Sequence, residues 1–166
     1  QQSSSVGVWG WAEKNKEVMI SADWNSETLT VKTDASGKWK TKIKTPVAGG
    51  PFSMKISTNK EQITLNNVLI GEVWMGSGQS NMEMPMAGYN NQPINESNEL
   101  ILSSKNQQIR LFTVKRKTST TPLSDCEGSW QEASPETVAD FSAVAYNFAK
   151  QLNNTLGVPI GIINSS

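Results

Sequence analysis

"NVLIGEVWMGSG", residues 67 to 78, is the stretch on which the fold turns. Before it, apolar residues recur at every second position; within it they run almost unbroken and end among the glycines Gly76 and Gly78. Alternation marks a strand with one wet and one dry face. A continuous apolar run that ends in glycines reads instead as a strand buried on both faces of a parallel sheet. The run therefore divides the chain into residues 1–67 and residues 68–166, two parts of different build.

The first part reads as a small antiparallel β-sandwich. In "KWKTKIK", Lys38, Lys40, Lys42 and Lys44 take one face while Trp39, Thr41 and Ile43 take the other. Val18, Ile20, Ala22 and Trp24 repeat the pattern, as do Leu29 with Val31, Met54 with Ile56, and Ile63 with Leu65. Turn residues in "DASGK" and "VAGGP" separate the runs. Six short strands at this spacing predict a sandwich. Trp24 and Trp39 are in phase with the dry faces, which assigns them to the core; Trp9, Trp11, Trp74 and Trp130 are left open between core and sugar-stacking roles.

The second part alternates between strands and helices. After the apolar run come an asparagine-rich loop at 87–92, a short helix around 96–103, a buried strand "IRLFTV" at 109–114 and a loop through 118–132. Val138, Phe141, Ala145, Phe148, Leu152 and Leu156 then fall three or four apart, which predicts one amphipathic helix. Ser134 and Pro135 open it, and Gly157 with Pro159 closes it. "VPIGIINSS" reads as a third buried strand. This order opens a doubly wound, flavodoxin-like parallel sheet with right-handed crossovers. Three parallel strands under two helices leave an open apolar edge, so residues 68–166 are read as the first part of an incomplete α/β domain.

Composition narrows the partners. Lysine plus arginine and aspartate plus glutamate number fifteen each, and the formal charge is zero. On that balance no positive face is expected for nucleic acid or anionic lipid. No apolar run approaches the ~20 residues of a membrane span. With no histidine and one cysteine, Cys126, neither an internal disulfide nor a zinc site of nitrogen and sulfur ligands can be assembled. The chain begins at Gln1 without a methionine, and the reading adopted is a secreted or periplasmic protein whose leader has been removed.

Ser80 stands where the buried run ends. A serine hydroxyl becomes a nucleophile only when a base accepts its proton and fixed donors await the oxyanion. A tight turn at the carboxyl edge of a parallel sheet would hold that hydroxyl where open sheets bind ligands, with its own N–H free to donate. The alternative is a serine that caps the following turn. Gln79 and Asn81 flank it and can orient the turn or touch substrate. Glu83 is assigned to the start of a following helix rather than to Ser80 itself. Asn164 and Ser165 border the same pocket if the third strand lies beside the first.

"IGEVWMGSGQSNMEMP" resembles the first conserved block, G-Q-S-N-M, of the sialate O-acetylesterase family, a branch of the SGNH hydrolases. "FSAVAYNFAKQLNNTLGVPIGIINSS" is similar to that family's helix and second strand, and "VWGWAE" with "GKWKTKIKTPVAGGPF" to its amino-terminal sandwich. The resemblance implies an enzyme that hydrolyses O-acetyl esters of sugars through an acyl-serine, with Ser80 as nucleophile and oxyanion donor and with no cofactor. It also implies partners absent from these 166 residues: a Trp-Gly-Gly donor, an asparagine donor and an Asp-x-x-His base. The same block is shared with acetylxylan and other plant-glycan esterases, and a sandwich that binds carbohydrate beside a degenerate hydrolase scaffold is the non-enzymatic reading. On the esterase reading this chain is the nucleophile-bearing portion, inactive alone.

Overall fold

The computed structural model describes all residues, Gln1–Ser166. The chain forms two compact units, Gln1–Gly71 and Glu72–Ser166.

The first unit holds six antiparallel strands in two sheets. β1 (Ser5–Trp11) pairs with β4 (Lys38–Lys44), and β3 (Asn25–Lys32), β2 (Glu17–Ala22), β5 (Gly49–Ser57) and β6 (Gln62–Ile70) follow one another across the second sheet. Val18, Ile20, Trp39, Ile43 and Met54 are buried between them, each such side chain contributing about 1.5–3 kcal/mol by leaving water. Trp24 is not on a strand. It sits in the β2–β3 turn, half-buried, donates its indole N–H to the Lys44 carbonyl at 3.0 Å and packs edge-on against Phe52. Ile63 and Leu65 keep the expected phase, opposite Ile56 and Met54, yet stay exposed, because a two-stranded sheet is too narrow to cover a four-stranded one.

The decisive apolar run is two strands, not one. Residues 67–70 complete β6, antiparallel to β5, and β7 (Glu72–Ser77) begins a new sheet after Gly71. An apolar run carries no record of which sheet each half joins, so periodicity alone could not find the break. The second sheet runs β7-β10-β8-β9. β7, β10 (Ile160–Ser165) and β8 (Asn106–Thr113) are parallel as expected, with β10 in the centre. β7 is an edge strand, and Val73, Trp74 and Met75 are exposed rather than buried. β9 (Trp130–Ala133), antiparallel to β8, lies at the end of what the sequence presents as a loop.

Helices α1 (Ser80–Glu83) and α2 (Ser97–Leu102) are short. The single helix expected after Ser134 is divided into α3 (Pro135–Ala139) and α4 (Ala143–Leu156). Ser134 and Thr137 cap α3 reciprocally, and Gly157, at φ 65°, closes α4 in the left-handed conformation. The division falls at Ser142, whose buried hydroxyl accepts the Ala145 N–H at 3.2 Å and so starts a new helix. α4 buries Ala143, Ala145, Tyr146, Ala149 and Asn153; Phe148 and Leu156, expected to face inward, are exposed, and Phe148 meets Trp74 edge-on. Asn153 is the polar stitch of this core. It accepts from Asn106 at 2.9 Å and donates to the Val158 carbonyl at 2.8 Å, joining the helix to β8 and to the turn before β10.

The break in the helix is also an anchor. Met86 and Ala87 donate their backbone N–H groups to the carbonyls of Phe141 and Ala139, and Ala143 donates to the Met84 carbonyl, each at 2.9 Å. Ser142→Ala is expected to destabilise the second unit by about 1 kcal/mol, the usual cost of a lost N-cap. A urea midpoint identical to that of the parent would show that the cap contributes nothing.

Candidate active site

The carboxyl ends of the three parallel strands meet at one edge. Ser77 of β7 stands opposite Ser165 of β10, and Asn164 stands between Gly76 of β7 and Thr113 of β8. The Ser77 hydroxyl donates to the Ser165 carbonyl at 3.0 Å, and the Val114 N–H donates to the Asn164 carbonyl at 2.9 Å. The third strand does lie beside the first; of the two residues at its end expected to border the pocket, Asn164 lines the cleft described below and Ser165 does not.

Ser80 follows Ser77 by three residues. Gly78, at φ 155°, makes the sharp exit, and a side chain there would crowd Met82 at 3.3 Å. Gln79 occupies the N-cap position of α1 without a side-chain cap bond, and its carbonyl accepts the N–H groups of Met82 and Glu83, both at 2.9 Å. Gln79, Ser80 and Asn81 are all exposed. At the first helical position the Ser80 N–H has no intrahelical acceptor. The serine is therefore not the cap of this turn. Its hydroxyl stands in solvent beyond the carboxyl end of β7 and makes no hydrogen bond within the chain.

A cleft of about 390 Å³ is bounded by Glu83 and Pro85 from the serine's own loop, by Tyr89, Arg116 and Asp140, and by Asn164; Gln79, Ser80 and Asn81 are not among its walls. That volume falls within the roughly 300–1,000 Å³ typical of small-molecule sites. Glu83 faces Arg116, with which it forms an ion pair, not Ser80. Its hydrogen bond raises the guanidinium further above its ordinary range, which keeps Arg116 charged at any working pH. Asn164 is 7% exposed, and its Oδ1 has no hydrogen-bond partner. A buried carbonyl oxygen left without a donor costs about 1–3 kcal/mol, so Asn164 is poised to accept one.

The sequence reading missed Arg116 and Asp140. Arg116 was discoverable: it follows the carboxyl end of a buried strand by three residues, where loops of such sheets carry ligand contacts. Asp140 was hidden by the helix break. Cys126 is an exposed thiol in the loop before β9.

No family model matches the chain. Among characterised proteins it is 29% identical over 182 aligned positions to the sialate O-acetylesterase of Rattus norvegicus, covering 100% of this chain and 33% of that protein. The human sialate O-acetylesterase gives the same identity, with 34% of its length covered. The chain resembles sialate O-acetylesterases from end to end. A solved carbohydrate acetylesterase from Xanthomonas citri superposes with a TM-score of 0.90 at 34% identity, over 98% of this chain and 36% of that one. The antiparallel sheets followed by a mainly parallel sheet are thus shared with the matching part of that acetylesterase. The chain spans about a third of the length of the relatives it matches.

Proposed function

We propose that this chain is the nucleophile-bearing portion of a carbohydrate acetylesterase, with Ser80 as its catalytic residue. The observation that carries the reading is the exposed, unpartnered Ser80 hydroxyl at the carboxyl edge of the parallel sheet, in a chain similar throughout to sialate O-acetylesterases. In this reading Ser80 Oγ attacks the acetyl carbonyl carbon while a base takes its proton. The Ser80 N–H is one donor to the resulting oxyanion. Collapse expels the sugar hydroxyl, which recovers the proton, and water then releases acetate from acetyl-Ser80.

Histidine is the usual base for such a step because it titrates near neutrality. None is present here, and no lysine lies within residues 70–86. The base is assigned to polypeptide beyond these residues, and the chain alone is expected to be inactive. Gln79 and Asn81 hold the rim of the turn, and Asn164 and Ser165 border the acetyl sugar. O-acetylated sialic acid is the first substrate to try and acetylated plant glycan the second; export to the periplasm or exterior suits either.

An organophosphorus ester that traps serine nucleophiles tests the chemistry independently of the sugar. The complete protein should form a single adduct on the peptide that contains Ser80. Labelling elsewhere, or none in an active preparation, would refute the assignment.

A further inference from the structure

The outward face of the β1–β4 sheet carries a row of charge that the net balance conceals. β1 turns Ser5, Gly7, Trp9 and Trp11 to solvent, and β4 turns Lys38, Lys40, Lys42 and Lys44. Register sets Trp9 opposite Lys40, Trp11 opposite Lys38 and Gly7 opposite Lys42. The two strands, SVGVWGW and KWKTKIK, contain no acidic residue. None of the four lysines takes part in an ion pair; those of this chain join Lys60, Arg110, Lys115, Arg116 and Lys117 to their carboxylates. Asp34, at the start of the row, is occupied with the N–H groups of Ser36 and Lys38 and the Ser36 hydroxyl.

Successive outward positions on a strand are about 6.8 Å apart, so the four ammonium groups span roughly 20 Å. That spacing is shorter than the Debye length of about 8 Å at physiological ionic strength, so neighbouring charges repel and the row favours an anion beside it. A single small anion cannot span the row. A polymer with a repeating negative charge can. The aromatic half of the face points to what kind. Trp9 and Trp11 are 57% and 50% exposed, and beside them Gly7 contributes no side chain. Over it converge the Trp9 ring and the Lys40 stem, each 3.9 Å from where a Cβ would stand. A shallow floor walled by an indole and rimmed by ammonium groups matches a sugar ring that is apolar on its face and charged at its edge.

We infer that this face is a docking site for an acidic polysaccharide, one bearing a carboxylate on its repeating sugar. The choice of glycan over a nucleic acid strand, which also pairs bases with aromatics and phosphates with lysines, rests on the carbohydrate reading of the chain. Zero net charge gave no reason to expect a positive face for nucleic acid or anionic lipid; a local row of lysines is compatible with that balance because charge sums over the surface while binding is local.

The test uses polygalacturonate, neutral dextran and a twenty-residue oligothymidylate as probes of the complete protein in low-salt buffer. Polygalacturonate should bind, weaken as salt is raised, and lose at least tenfold in affinity when Lys38, Lys40, Lys42 and Lys44 are all changed to Gln. Trp9→Ala should weaken it at least threefold. Because these side chains are exposed, circular dichroism should report an unchanged fold. Hydrolysis of an aryl acetate should be unaffected by the lysine changes, whereas Ser80→Ala should leave polygalacturonate binding intact, which separates failure of this site from failure of the esterase reading. Equal affinity for the quadruple variant, equal binding of dextran, or binding of the oligothymidylate alone would overturn the proposal; the first would leave the lysines as mere guards of the strand edge.

Discussion

Ser80→Ala in the complete protein is expected to lower kcat for release of acetate by about 10⁴-fold or more, with little change in KM. The magnitude follows from what the hydroxyl does in the proposed reaction. It forms the bond that divides hydrolysis into two easier steps, and what survives its removal is oxyanion stabilisation and binding alone. The fold should not suffer, since the side chain is exposed and makes no hydrogen bond within the chain. Steady-state kinetics with an aryl acetate, alongside circular dichroism, separate the two. Retention of a tenth or more of the parent kcat would remove Ser80 from the chemistry and return it to a turn residue. Asn81→Ala is a useful companion, because a residue that only shapes the rim should cost far less than the nucleophile.

Ile162→Ala is expected to destabilise the second unit by about 2–5 kcal/mol, the range seen when a large aliphatic side chain is deleted from a packed core. Ile162 is 2% exposed on the central strand, in register with Leu111 on one side and Trp74 on the other. Neighbours held in two ladders cannot collapse into the space it leaves, which favours the upper half of the range. Urea unfolding followed through the tryptophans would read the loss. A change below 1 kcal/mol would mean that the centre of this sheet is loosely packed.

The two kinds of sheet were legible in the sequence because alternation marks one and unbroken apolar runs mark the other. Alternation gave the six strands of the first unit, and the apolar run at 158–163 marked the third buried strand, at whose end Asn164 and Ser165 stand. Features that change neither pattern were not legible. The passage from β6 to β7 changes sheet within one apolar run. The break before α4 keeps helical spacing across it, since Phe141 and Ala145 are both buried while Ser142 quietly caps the new helix. β9 is four residues long and borrows its place from β8. At the site, Ser80 was visible through its glycines and flanking amides, whereas the Glu83–Arg116 ion pair joins residues 33 positions apart in a way that only tertiary structure sets.

The hook that ties Met84, Met86 and Ala87 to residues 139–143 makes the serine's loop a short bridge fixed at both piers. Upstream it is clamped by the β7–β10 ladder, downstream by the divided helix, and only the few residues between are left to move. In the proposed reaction little wandering would then be left to suppress when an ester arrives, the hydroxyl would wait near its working position, and tension placed on α4 would be felt at Ser80 through the same hook.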